Sequence, residues 1–286
     1  MAAGAAWVLN LDADYELAAG PSYAPRSSVL AATRAHAARL AETLLEPGDV
    51  VVDEATTTGA AVGRVGRAFS PTPRALALLR RAGAEPAPHP PVAVLRAVAS
   101  RALSAELGQT LPGARFLRSV DEVACVLAEA PPIGEGWRLK RAFGMAGRDH
   151  RLVRAGAATD ADLAFARAAI AEDGVQVEPN VRILRELSMH GYISPGGDLR
   201  LGALVEVTCE RRGAFASAAR VVAPPADLRD PLEGEARRAA ALLHRVGYFG
   251  PFGLDAFVWS APEPTLRTRS EVNARYTMAW GVGFGR

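Results

Sequence analysis

Four prolines fall within eight residues at 84–91, AEPAPHPP. Proline lacks an amide proton and its ring fixes φ, so this stretch reads as a linker that cannot sit inside an element. It divides the 286-residue chain into a front part, residues 1–90, and a longer back part, residues 91–286. In the front part, residues 6–13 (AWVLNLDA) read as a short buried strand and 27–45 as a helix opened by Ser27 and closed by EPGD. Residues 49–54 read as a second strand, and 70–83 as a helix with proline in its first turn and glycine at its end. Strand, helix, strand is the opening of an α/β layer. Thr58 to Ser70, with Gly59, Gly63 and Gly66, reads as a loop.

The back part begins with a predicted helix over 92–108 and a strand over 113–117. Ser119 followed by Glu122 predicts a capping box on the next helix. A strand, GWRLK, then ends at Lys140, and a glycine-containing segment joins it to RLVRA. A helix over 159–173 and a strand stopped by Pro179 complete a small mixed lobe at about residues 113–180. After it come strands at 185–194, 198–210 and 213–222, a helix at 233–247, and strands at 251–259 and 266–276. The fold class is α/β in front, turning to α+β with antiparallel sheets in the second half. GVGFG near the end has no strand–helix context for a dinucleotide fingerprint and reads as a covering loop or a tail.

Lys140 is the only lysine among 33 Lys and Arg residues. An Ala/Arg/Gly-biased composition explains scarce lysine but not this survivor. Gly144, Ala146 and Gly147 let backbone N–H groups approach an anion closely, and an ammonium supplies a compact charge with three donors. The same arrangement also suits a solvated hairpin tip. No GxxxxGK[ST] loop is present. Glu271 and Asn273, two apart in a strand, project to one face, and Asp255 in the preceding strand joins them if the two pair. Hard oxygen donors of this kind suit magnesium. In VQVEPNVRIL the strand end at Glu178 offers backbone groups at a crossover, with Glu186 in the next strand.

Taken in order, Lys140 and its loop, Glu178, Glu186, Asp255, and the pair Glu271 and Asn273 resemble the ATP-grasp superfamily over roughly residues 92–280. The front segment resembles the domain that commonly precedes that fold. The resemblance implies two lobes clamping ATP with Mg2+, or Mn2+ in its place. Lys140, Gly144, Met145, Ala146 and Gly147 are then expected at the phosphates, Val177 and Glu178 at the adenine, and Glu186 at the ribose. Asp255, Glu271 and Asn273 are expected at the metal. Arg101 stands where many members carry an earlier lysine, and Arg141 where many have proline. The implied reaction joins a small-molecule or peptide carboxylate to an amine through an acyl phosphate, with Arg275 steadying the γ-phosphate or the acid, and Arg220 a lesser candidate. A kinase acting on a hydroxyl, or a nucleotide-binding protein without turnover, would use the same clamp.

Asp12, Asp14 and Glu16 follow the first strand, where they would meet an amine substrate, start a helix or lie in a solvated loop. His190 reads as a structural histidine. Net charge is +2 with no basic run, so nucleic acid is not an expected partner. Cys125 and Cys209 lack metal or redox spacing, no apolar run reaches membrane length, and the start has no basic leader. A cytoplasmic enzyme without membrane contact is expected, and a homodimer through the front domain is admitted by the resemblance.

Overall fold

The structure is a computed structural model that describes residues 4–144, 150–210 and 213–285. Its strands form three sheets. The first is parallel and holds β1 (Ala6–Val8), β2 (Val50–Val51), β3 (Val65–Ala68) and β4 (Glu85–Pro86) in the order β2-β1-β3-β4. Helices α1 (Ala13–Ala19), α2 (Ser27–Leu44) and α3 (Pro73–Arg81) accompany it. The first strand is shorter than expected because the chain turns at Asn10 and starts α1 at Ala13. Gly66 belongs to a strand rather than to a loop, and the proline-rich stretch is not all linker: Glu85 and Pro86 form the edge strand β4, where a missing donor is tolerated.

The helix expected over 92–108 is two helices, α4 (Val92–Ala99) and α5 (Arg101–Ala105). Ser100 breaks it with an extended backbone (φ −77°, ψ 135°), and its hydroxyl caps the second helix by accepting from Ala102 N at 3.2 Å. The same hydroxyl donates to Asp173. The break turns the Arg101 amide onto Ala142 O at 2.9 Å, which brings that arginine beside the end of the small sheet.

The second sheet is antiparallel: β5 (Arg115–Leu117), β6 (Gly136–Arg141), β7 (His150–Arg154) and β8 (Val175–Pro179), in the order β5-β8-β6-β7. Helices α6 (Val120–Ala128) and α7 (Asp160–Glu172) cover one face, packing Leu127 and Ala166 against Trp137, Leu139 and Val177. Ser119 stands at the start of α6 without a side-chain cap, so the expected capping box there does not form, whereas Thr159 and Asp162 form one on α7.

The third sheet, also antiparallel, contains β9 (Ile183–Ile193), β10 (Leu199–Cys209), β11 (Phe215–Arg220), β12 (Gly250–Trp259) and β13 (Thr265–Asn273), ordered β11-β10-β9-β12-β13. Alternation along β9 and β12 sends Leu187, Met189 and Leu254 to α8 (Ala226–Arg245), where Leu232 and Ala236 meet them. The helix begins seven residues before the expected Glu233 because Pro225 caps it and Pro231 is accommodated inside. The C-terminal GVGFG stretch is neither loop nor tail: it lies largely in a short helix, α9 (Trp280–Phe284), with Trp280 and Gly283 buried. No helix among the described residues is long and apolar enough to cross a membrane.

Candidate active site

The polar faces of the second and third sheets enclose a cleft of about 810 Å³, with residues of the front part at one end. That lies within the usual ligand-site range of about 300–1,000 Å³. On β6 the alternation that buries Trp137 and Leu139 turns Arg138 and Lys140 to the cleft. Lys140 Nζ sits 2.6 Å from Glu178 Oε1, and Arg267 Nη2 sits 2.9 Å from Glu178 Oε2. Burial lowers the Lys140 pKa, with Glu178 acting in the opposite direction. For Glu178, burial works to raise the pKa, but Lys140 and Arg267 outweigh it and hold the carboxyl at about 2.

That depression has a sign. The ordinary value is 4.5, so the stabilisation from Glu178 is complete above that pH and is lost as pH falls toward about 2. The stability difference between the protein and Glu178→Gln is expected to narrow across that window, followed by circular dichroism in acid titrations at fixed denaturant. A difference that stays constant across it contradicts the assignment.

The strand end at Glu178 does not free its backbone from the ladder: Glu178 pairs with Arg138 and Pro179 with Trp137 across β6 and β8, and beyond them Asn180 N donates to Gly136 O at 2.7 Å. Val177, expected beside the base, points its side chain into the core of the small lobe, a neighbour of Leu139. Gly144 does line the cleft, with Arg101 so close that a Cβ there would lie 3.1 Å from Nη1. Met145, Ala146 and Gly147 lie outside the described residues.

Asp255 and Glu271 are directly opposite across β12 and β13, and Gly253 faces Asn273. Asn273 Nδ2 donates to Asp255 Oδ2 at 2.7 Å, while Arg101 Nη2 lies 2.6 Å from Glu271 Oε1. Arg101 also donates from Nη1 to Arg141 O at 2.6 Å, so one guanidinium joins the small sheet to the acid pair. Burial first, and Glu271 second, push the Asp255 carboxyl up to about 6. Two partly buried carboxylates and an amide are hard oxygen donors that fit Mg2+ or Mn2+, and a cation would relieve the repulsion that raises Asp255. Arg101, which lines the cleft, has its Nε buried without a hydrogen-bond partner among the described residues, a spare donor that suits a phosphate-bearing ligand. Glu186 lines the same cleft from β9, next to Cys209, whose thiol is driven up in pKa by burial and by that carboxylate.

Arg275 is not a solvated cation. Its Nη2 and Nε meet Asp14 at 2.7 and 3.2 Å, and its guanidinium lies over the Phe69 ring at 5.1 Å. Asp14 and its neighbours are likewise not in a solvated loop. Asp12, Asp14 and Glu16 are all buried, both Asp12 oxygens accepting from Arg74 Nη2 and Glu16 accepting from Thr72 Oγ1 at 2.7 Å. Arg220 is away from the cleft and donates to Val282 O and Gly285 O at the chain end.

Arg101, Lys140, Gly144, Glu178, Glu186, Asp255, Glu271, Asn273 and Arg275 therefore share one cleft. Sequence reasoning missed Arg138 and Arg267. Arg138 was legible, two residues before Lys140 on one strand. Alternation from Glu271 puts Arg267 on its side but Arg269 there too, and only the register tells them apart: Asp255 and Phe257 are two apart while their partners Glu271 and Arg267 are four apart. With this bulge Glu271 lines the cleft, Arg267 lies buried against Glu178, and Arg269, between them, turns to Glu235 of α8 at 2.6 Å.

No protein-family model matches the sequence, nor does any curated protein. Solved structures match in fold. N5-carboxyaminoimidazole synthetase from Staphylococcus aureus, complexed with ADP, is 11% identical with a TM-score of 0.52, covering 96% of this chain and 71% of that one. D-alanyl-alanine synthetase A from Vibrio cholerae is 14% identical at a TM-score of 0.54, covering 96% of this chain and 89% of that one. Pyruvate carboxylase from Rhizobium etli is 16% identical at 0.55, covering 96% of this chain but 26% of that one. The chain has the ATP-grasp fold.

Proposed function

We propose that this protein is an ATP-dependent ligase that joins a carboxylate to an amine or another nucleophile through an acyl phosphate, releasing ADP and phosphate. The observation that carries the reading is the convergence of Lys140 and Arg101 with Asp255, Glu271 and Asn273 on one cleft between two antiparallel sheets. In this reading residues 1–90 form the front domain and 91–286 the clamp, with the lobe at about 113–180 as its lid. The ADP complex of the Staphylococcus aureus synthetase supports a nucleotide in a cleft of this fold. The cysteines are both free, which suits a cytoplasmic setting.

Lys140 and Arg101 hold the phosphates, Glu178 keeps Lys140 aimed into the cleft, and Glu186 takes the ribose hydroxyls. Asp255, Glu271 and Asn273 hold Mg2+, which when bound neutralises charge on the transferring phosphoryl group. Arg275, fixed by Asp14 and Phe69, steadies the γ-phosphate or the acid so that a carboxylate oxygen can attack phosphorus as ADP departs. The amine nitrogen then attacks the acyl carbon, phosphate leaves, and the nitrogen gives up a proton. Incubation with MgATP and a panel of acids and amines tests the proposal by ADP release. Release that needs both partners supports ligation; release with an alcohol alone identifies a kinase, and tight ATP binding without turnover identifies a binding protein.

A further inference from the structure

His190 has no part in the chemistry above, yet it is the most completely buried ionisable side chain near it, 0% exposed. It does not line the cleft. Ser188 lies two residues before it on β9 and on the same face. Across β12, Ser188 faces Asp255 and His190 faces Gly253. Ser188 Oγ donates to Asp255 Oδ1 at 3.1 Å, and His190 Nε2 lies 3.3 Å from the same hydroxyl.

A hydroxyl has one proton to give. With that proton directed at the carboxylate, Ser188 Oγ accepts from His190, so Nε2 carries the hydrogen. The other nitrogen, Nδ1, is buried and has no partner among the described residues. A second proton there would leave a buried cationic N–H with nothing to accept it. The ring is therefore the neutral Nε2–H tautomer, and its setting is rigid. Trp280 meets it edge-on at 6.0 Å, and any side chain at Gly283 would collide with Nδ1. The imidazole is a fixed donor, seated by α9 against the back of the third sheet's polar face.

We infer that His190 is a positioning residue which, through Ser188, orients the Asp255 carboxylate toward a divalent cation that accompanies the nucleotide. The inference rests on the nucleotide reading proposed above. Asp255 has two oxygens: Oδ2 is held by Asn273 and Oδ1 by Ser188. Without His190, the Ser188 hydroxyl loses its only other polar partner among the described residues and is free to rotate, and the carboxylate loses a defined donor. Changes to groups that orient a metal ligand typically weaken metal affinity or activity by about 10- to 100-fold.

Calorimetric titration with ATP alone and with ATP plus Mg2+ tests this, the ratio of the two affinities being the readout. For His190→Leu that ratio is expected to fall at least about tenfold while affinity for metal-free ATP stays as in the unaltered protein. His190→Gln, which keeps an N–H near the position of Nε2, is expected to recover most of it. Ser188→Ala, which leaves the α9 packing alone, is expected to match His190→Leu, and the double variant to be no worse than either. If His190→Leu does not fold, Ser188→Ala and His190→Gln decide between them. A wild-type ratio in Ser188→Ala overturns the inference, as does a His190→Gln ratio as poor as that of His190→Leu or Ser188→Ala. If the unaltered protein binds neither form of ATP, the nucleotide reading itself is wrong and the inference falls with it.

Discussion

Lys140→Ala is expected to lower ATP turnover by at least about 100-fold, the usual cost of removing one preorganised charge donor from a phosphoryl or oxyanion site. Folding should survive, because Glu178 retains Arg267 at 2.9 Å and Gln176 Nε2 at 3.0 Å, so its carboxylate is not left bare. Lys140→Arg is not expected to rescue: a planar fork must be fitted beside Arg267 and Arg101, which already act on Lys140 electrostatically. Glu271→Ala should be as damaging to turnover by another route, since it removes a candidate metal ligand and the partner of Arg101 at 2.6 Å. Initial rates of ADP release, read beside thermal melts, check both. Wild-type rates in either variant would remove the basis of the proposed chemistry.

The largest effect on stability is expected at Arg269. Its side chain is 6% exposed and lies against Glu235, itself 5% exposed. Beyond that pair it donates to Ser104 O at 2.8 Å and to Gly108 O at 2.6 Å, so it fastens β13 to α8, to α5 and to the turn after α5. Arg269→Ala leaves a buried carboxylate with only the more exposed Arg238 at 2.7 Å, and two carbonyls without that donor. Breaking a buried ion pair from one side typically costs about 3–5 kcal/mol. Chemical denaturation should show a lower midpoint, with little change in the affinity for ATP per folded molecule. Pairing Arg269→Met with Glu235→Leu should recover part of the loss but not all of it, because Gly108 O loses the donor that Arg269 supplied. A single variant as stable as the parent would show that the pair contributes little.

Elements whose partners lie nearby in the chain were the legible ones. The strand GWRLK, the capped helix α7 and the ExN strand all stand close to where their residues predict. So does the candidate site in outline, since strand periodicity alone aims Lys140, Glu271 and Asn273 at one side of each strand. What escaped depended on contacts between distant segments. The 92–108 helix breaks because Ser100 has Asp173 to bond to, seventy-three residues away. Arg269, which alternation would set beside Glu271, turns instead to Glu235 because β13 carries a bulge. Asp14 is buried because Arg275, from the far end of the chain, comes to meet it. Nothing local marks any of these.

The junction of Asp14 with Arg275 also limits how this molecule can be recombined. A chimera spliced at the proline-rich stretch, with its first ninety residues taken from a foreign chain, would present Arg275 to whatever occupied the position of Asp14. Were that residue apolar, the guanidinium would be desolvated opposite nothing and would swing toward Asp255 and Glu271 in the cleft. Donor segments for such swaps have to be chosen for a carboxylate at that one place and for an aromatic ring where Phe69 stands, before any resemblance in overall shape is considered.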